Sequence, residues 1–88
     1  MDIRFEQSFE KDLLRIADKK INKKLIQIIE NIKHAGKPQD IVNLKKLENY
    51  KTYYRIRIGN YRIGIEIIKG TVIVTRILPR KDIYKFFP

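Results

Sequence analysis

The chain contains no cysteine, which excludes a disulfide framework and any thiolate nucleophile or thiolate metal ligand. Its only histidine is His34, and one imidazole without a thiol leaves no zinc-binding set. His34 falls at the predicted end of a helix, where interaction with the helix dipole is its ordinary role. Long apolar runs are also missing. The longest is Val72-Ile73-Val74, far short of the roughly 18 residues that suggest a membrane span. The opening Met1-Asp2-Ile3-Arg4-Phe5-Glu6 lacks the basic start and apolar stretch of a signal peptide. A cytoplasmic location without a membrane partner is therefore expected. There is no glycine-rich phosphate loop, internal repeat or low-complexity tract. Asp82 and Glu66 are isolated carboxylates in basic surroundings, read as local charge partners rather than as a paired acid and base. No cofactor is expected.

What is present is positive charge and β-branched residues. The 88 residues carry a net charge of +10 with 43% hydrophobic content, a balance suited to one globular domain over residues 1–88. A chain this short buries about 60–65% of its potential surface, so a single core must do all the stabilising. The charge is lopsided. Residues 1–44 hold nine Lys/Arg against seven Asp/Glu, whereas residues 45–88 hold eleven against three. That asymmetry favours a polyanion or an acidic protein as partner. Charge alone does not separate nucleic acid from anionic lipid.

Ile3 and Phe5 alternate with Arg4 and Glu6 as in a short strand. Ser8 is placed to cap a helix over roughly residues 9–17, with Phe9, Leu13, Ile16 and Ala17 at helical spacing. Asp18 is placed to cap a second helix whose Ile21, Leu25, Ile28 and Ile32 share one face, widened by Ile29. It is expected to stop at His34-Ala35-Gly36, with Gly36 left-handed and Pro38 preventing resumption. A connection around residues 37–50 follows. The period then becomes two: Tyr53–Ile58 up to Gly59-Asn60, Tyr61–Ile68 up to Lys69-Gly70, and Thr71–Leu78 up to Pro79. Three strands joined by tight glycine-containing turns read as an antiparallel meander, with both turn types open. In the tail, Ile83, Phe86 and Phe87 are expected to pack on the body as a short helical turn. The fold class is α+β, in the order β-α-α-β-β-β, a small antiparallel sheet packed against a helical hairpin.

Arg55 and Arg57 lie two apart on one strand and point to the same side. The hairpin brings Arg62 near them, on a face that depends on register. Arg80 follows the last strand, and Tyr84 lies four residues beyond it. Such a group would form a basic concavity with an aromatic rim. A guanidinium holds two phosphate oxygens at once, stays charged at neutral pH and stacks on bases. A tyrosine stacks on a base or donates its phenolic proton to a phosphate. RNA supplies its own nucleophile, the 2′-hydroxyl, so cleavage needs positioning, charge stabilisation and proton transfer but not a metal, and no residue of the pattern is assigned to the proton transfer. Simpler roles stand beside these. Outward arginines solubilise a half-exposed sheet, Arg62 and Glu66 are spaced for a surface ion pair, and Tyr84 fits an interior aromatic.

The opening Phe9-Glu10-Lys11-Asp12-Leu13, the segment Lys45-Lys46-Leu47 with Tyr53-Tyr54-Arg55-Ile56-Arg57-Ile58-Gly59-Asn60-Tyr61-Arg62-Ile63, and the terminal Pro79-Arg80-Lys81-Asp82-Ile83-Tyr84 resemble the RelE/ParE superfamily. These are toxins of type II toxin–antitoxin systems, and the likeness covers nearly the whole chain. The resemblance implies an mRNA endoribonuclease that works in the ribosomal A site. In that reaction the 2′-hydroxyl attacks the adjacent phosphate and leaves a 2′,3′-cyclic phosphate. Residue by residue, Arg55 and Arg57 match a basic pair that contacts RNA. Arg62 and Arg80 match arginines that stabilise the phosphate and transition state, and Tyr84 matches a tyrosine that orders the substrate nucleotide. Under the same resemblance, Lys45 and Lys46 are candidate ribosomal-RNA contacts. The chain departs from the pattern in having arginines where the best-studied ribonucleases have lysines, and Pro79 where a histidine is usual. The implied partners are a cognate antitoxin, the ribosome and mRNA, with the free toxin a monomer. ParE-like members inhibit DNA gyrase instead, and a noncatalytic scaffold for nucleic acid or antitoxin is a third reading.

Overall fold

Residues that alternate between two environments, with a β-branched side chain on one of them, build a sheet whose two faces differ. The computed structural model describes residues 1–88. Its elements are β1 (Asp2–Phe5), α1 (Gln7–Leu14), α2 (Lys19–His34), β2 (Leu44–Lys46), β3 (Tyr53–Ile58), β4 (Tyr61–Ile68), β5 (Thr71–Pro79) and α3 (Ile83–Phe86). The sheet order is β1-β5-β4-β3-β2. All pairings are antiparallel except β1 with β5. This is the expected α+β fold, with the β-α-α-β-β-β order and the helical hairpin on one face of the sheet. Its additions are β2 and α3. Strand β2 lies inside the expected connection of residues 37–50. Its three residues, paired to β3 at the sheet edge, are too few to show a period. No helix is long and apolar enough to cross a membrane.

Ile56, Ile58, Ile63, Ile65, Val72, Val74 and Ile77 cover one face of the sheet and meet Phe9, Ile21, Leu25 and Ile32 from the helices and Ile16 from the link between them. The central strand β4 is buried at Arg62, Ile63, Gly64 and Ile65 in succession. Consecutive buried residues on a strand mean that both faces are covered there. Ile63 and Ile65 face the helices. Over Gly64, on the opposite face, lies Phe87, whose ring atoms are 2.7–2.8 Å from where a Cβ on that glycine would sit.

The meander turns follow from backbone sterics. Gly59 alone is left-handed in the first turn (φ 57°), the pattern of a type II′ hairpin, whereas Lys69 and Gly70 are both left-handed (φ 48° and 81°), as a type I′ turn requires. Register shifts between β4 and β5 at Gly64/Ile65, which leaves Thr75 as an extra residue on β5. Helix α1 holds the bulge: Ser8 Oγ donates to the Thr75 carbonyl at 2.6 Å, and the Ile77 N–H donates to Asp12 at 3.1 Å. Asp12 also accepts from Arg76 Nε at 2.7 Å and Nη2 at 3.0 Å. This pairing raises the Arg76 pKa above its usual value, chiefly through the hydrogen bond.

Four local expectations are corrected. Ser8 does not cap α1. The helix begins at Gln7 after Glu6, with no side-chain cap, and Ser8 is committed to the bulge. Nor does α1 reach residue 17. It ends at Leu14, and Asp18, in extended backbone (φ −126°), caps α2 by accepting from the N–H groups of Lys20 and Ile21. Gly36 is not left-handed. Instead the Met1 ammonium donates to the carbonyls of Ile32, Lys33 and Ala35 at the end of α2, which removes the need for a glycine cap. In the tail, Ile83 and Phe87 are buried as expected, but Phe86 is 58% exposed, with the Arg76 guanidinium 6.0 Å from its ring centre.

An Asp12→Ala substitution leaves the Ile77 N–H and the half-covered Arg76 guanidinium without their acceptor. A loss of about 2–4 kcal/mol is expected, read by urea unfolding at pH 7. A loss below about 0.5 kcal/mol would remove Asp12 from its role at the bulge.

Candidate nucleic-acid interface

The face of the sheet away from the helical hairpin presents Arg55 and Arg57 from β3 and Arg62 from β4. Register places Arg57 directly opposite Arg62, and Arg55 opposite Gly64 and Lys45. Like charges directly across a sheet repel, and no carboxylate relieves them. The ion pairs in the molecule are Glu30 with Lys33, Asp12 with Arg76, and Asp82 with Lys85. After β5, the Arg80 N–H donates to the Asn60 carbonyl at 2.8 Å, which ties the following segment to the β3–β4 turn. Helix α3 then projects Tyr84, 60% exposed.

The structure brings all five of these side chains to one open depression of about 580 Å³, lined by Arg55, Arg57, Arg62, Arg80 and Tyr84 with Lys45. Lys46 does not line it. That lysine lies in a neighbouring depression, which shares Lys45, Arg55 and Tyr84 with the first. Asn43 and Leu44 complete the arginine-lined wall. Sequence reasoning missed both because they join it through the short edge strand. Asn43 is left-handed (φ 64°), a conformation asparagine tolerates, but nothing in its sequence context marks it as part of a site.

Arg62 differs from its neighbours in being 6% exposed. Its Nη1 donates to the carbonyls of Gly59 at 3.1 Å and Tyr61 at 2.8 Å, which fixes the guanidinium against the hairpin turn. Burial, followed by the charges of Arg57, Arg55 and Arg80, pushes its pKa below the usual arginine value, and Tyr84 acts in the opposite sense. The surface pair of Arg62 with Glu66 does not form. The Phe87 ring occupies the Gly64 position between them, and Glu66 accepts instead from the Thr52 hydroxyl at 3.0 Å. A desolvated cation without a counter-ion, held rigidly beside three more, is a preorganised seat for an anion.

A sequence model of the family described as ParE toxin of the type II toxin–antitoxin system, parDE, matches residues 3–84. The chain belongs to the RelE/ParE superfamily of type II toxin–antitoxin toxins. Within the superfamily it is 43% identical over 89 residues to Toxin RelE3 of Methanocaldococcus jannaschii, covering 100% of both chains. It is also similar to a chain in the crystal structure of the RelB-RelE antitoxin-toxin complex from Methanococcus jannaschii. That match has 41% identity and a TM-score of 0.80, over 97% of this chain and 99% of that one. The archaeal RelE-RelB complex from Pyrococcus horikoshii shares the fold, at 18% identity and a TM-score of 0.71 over 90% and 93% of the two chains.

Two expectations follow from this RelE/ParE site. Burial and the charges of Arg57, Arg55 and Arg80 depress the folded-state pKa of Arg62, so its charged form opposes folding, and the penalty lifts as pH rises through that depressed value. Arg62→Met should therefore melt at the same temperature as the parent or higher. Added phosphate, at constant ionic strength, should raise the melting temperature of the parent more than that of the variant. A clear drop in melting temperature for Arg62→Met would show that its carbonyl hydrogen bonds outweigh the charge penalty. Separately, Gly64→Val places side-chain atoms inside the Phe87 ring position. The tail should be displaced, with faster proteolysis at residues 80–88 and weaker phosphate stabilisation, while the hairpin face of the core persists.

Proposed function

We propose that this toxin is a ribosome-dependent mRNA endoribonuclease that works by 2′-hydroxyl attack. The observation that carries the proposal is the convergence of Arg55, Arg57, Arg62, Arg80 and Tyr84 on one open, cationic depression without a carboxylate counter-ion. The scissile phosphate sits against Arg62, whose orientation is fixed, with Arg57 and Arg80 on its other oxygens. Arg55 and Lys45 hold the adjoining backbone, and Tyr84 stacks on a base beside it. The 2′-oxygen bonds to phosphorus, the bond to the 5′-oxygen breaks, and the products are a 2′,3′-cyclic phosphate and a 5′-hydroxyl. Solvent water in the open depression takes the proton from the attacking oxygen and supplies one to the departing 5′-oxygen, so no net proton is consumed. The guanidinium groups stabilise the charge that grows on the phosphoryl oxygens, the larger part of such catalysis. No carboxylate or imidazole lines the depression, so in this reading charge stabilisation rather than a strong side-chain base supplies the rate. Lys45 and Lys46 extend the basic surface towards ribosomal RNA.

The cognate partner in this reading is an antitoxin of the RelB kind, acidic or amphipathic, that covers the basic face. The solved RelE relatives are complexes with RelB, and the charge imbalance of residues 45–88 suits such a segment. The second reading, inhibition of DNA gyrase by protein contact, is favoured by the ParE description of the matching family model.

The deciding experiment sets the purified toxin on translating ribosomes with defined mRNA, beside a gyrase supercoiling assay. Cleavage with cyclic-phosphate ends is the expected result. Arg62→Ala should lower the single-turnover rate by about 100- to 1,000-fold, the scale of losing one preorganised charge-stabilising donor, and Tyr84→Ala by about 10-fold or more. Gyrase inhibition without cleavage would select the second reading. Inactivity in both assays, despite tight antitoxin binding, would leave a noncatalytic scaffold.

A further inference from the structure

Beyond Tyr84 the arginine-lined depression does not end. A second one of about 460 Å³ adjoins it and shares Lys45, Arg55 and Tyr84 as lining. This second space is also lined by Tyr50, 46% exposed. Tyr50 stands edge-on to Tyr53 at 5.5 Å between ring centres, and Tyr53 stands edge-on to the buried Phe87 at the same spacing. The exposed ring is thus the end of an aromatic row anchored on Gly64 in the central strand, a supported platform rather than a free loop side chain. Glu48 lines the same space. Its charge repels a phosphate and offers acceptors to a base edge.

We infer that this second depression is a nucleotide subsite, in which the base next to the one on Tyr84 stacks on Tyr50. The phosphate between the two bases lies on Lys45 and Arg55, the cations common to both spaces. Glu48 favours a base bearing an exocyclic amine over uracil, which has none. The inference rests on the endoribonuclease reading and adds to it a second recognised nucleotide. The occupant is RNA rather than an acidic protein segment because an exposed aromatic ring beside two cations matches a base next to its phosphate, whereas Glu48 in the same space repels acidic side chains.

The test is a double-mutant cycle on programmed ribosomes. One arm is Tyr50→Ala in the protein, and the other is a single abasic nucleotide moved through successive positions about the cleavage site. Tyr50→Ala should lower the single-turnover rate at subsaturating toxin by about 5- to 150-fold, the range for losing one stacked base. Saturating toxin should recover most of the rate, while Tyr50→Phe should retain activity. At one position beside the cut, the abasic lesion should slow the parent toxin but not slow Tyr50→Ala further. Glu48→Gln should reduce the preference for an amine-bearing base at that position. Melting temperatures of the variants separate lost stacking from lost folding, and Tyr50→Leu keeps apolar bulk without the aromatic face. Parent cleavage unaffected by Tyr50→Ala, or equal abasic penalties in parent and variant at every position, overturns the subsite and leaves the endoribonuclease reading standing. The same holds if Tyr50→Ala weakens antitoxin binding alone. Absence of cleavage by the parent overturns both.

Discussion

The stacking of Phe87 on Gly64 is the contact on which the arrangement of the exposed sheet face depends. A side chain at residue 64 would collide with that ring, so only glycine lets the tail lie flat on the central strand. With Phe87 and Ile83 both buried, α3 has one seat. Arg80, held by the Asn60 carbonyl at one end of the segment, and Tyr84, carried on α3, are then placed by a contact that involves neither of them. The same ring separates Arg62 from Glu66, which keeps the guanidinium free of a counter-ion. One glycine therefore shapes both the geometry and the charge of the depression.

That charge is costly to the fold. Stability in a chain of this size comes from a single core, and here it comes from the isoleucine- and valine-rich face turned to α1 and α2. The opposite face collects arginines across adjacent strands, one of them buried, with nothing to neutralise them. Such an arrangement persists when the binding of an anion, rather than folding itself, provides the compensation. Arg76 provides the contrast on the next strand. It has the Asp12 carboxylate, which accepts from its guanidinium and also from the backbone at the bulge. One arginine is structural because a carboxylate reaches it, and four are available because none does.

Much of this was legible in the residue pattern. The period-two runs of residues 53–78 and the two glycine turns marked the meander, and Asp18 marked the start of α2. The positions of the local errors share a cause. Ser8 carries the usual capping chemistry, but a backbone oxygen freed by a bulge on a distant strand takes its hydroxyl. Gly36 follows a helix whose last carbonyls were already satisfied by the Met1 ammonium. In each case a partner far along the chain changed a local preference, and a local window does not contain that partner.

The amino-acid sequence by itself determined the fold class, the side of β3 on which Arg55 and Arg57 lie, and the family, because strand alternation and turn sterics act over a few residues. Only the tertiary structure decided that Arg62 is the buried, carbonyl-anchored member of the group. It also decided that Lys45 reaches the arginines through an edge strand of three residues, and that Tyr50 and Tyr84 stand on one connected surface. Those relations depend on strand register and on how the tail folds back across Gly64. Both are set by the simultaneous packing of segments that lie far apart in the chain.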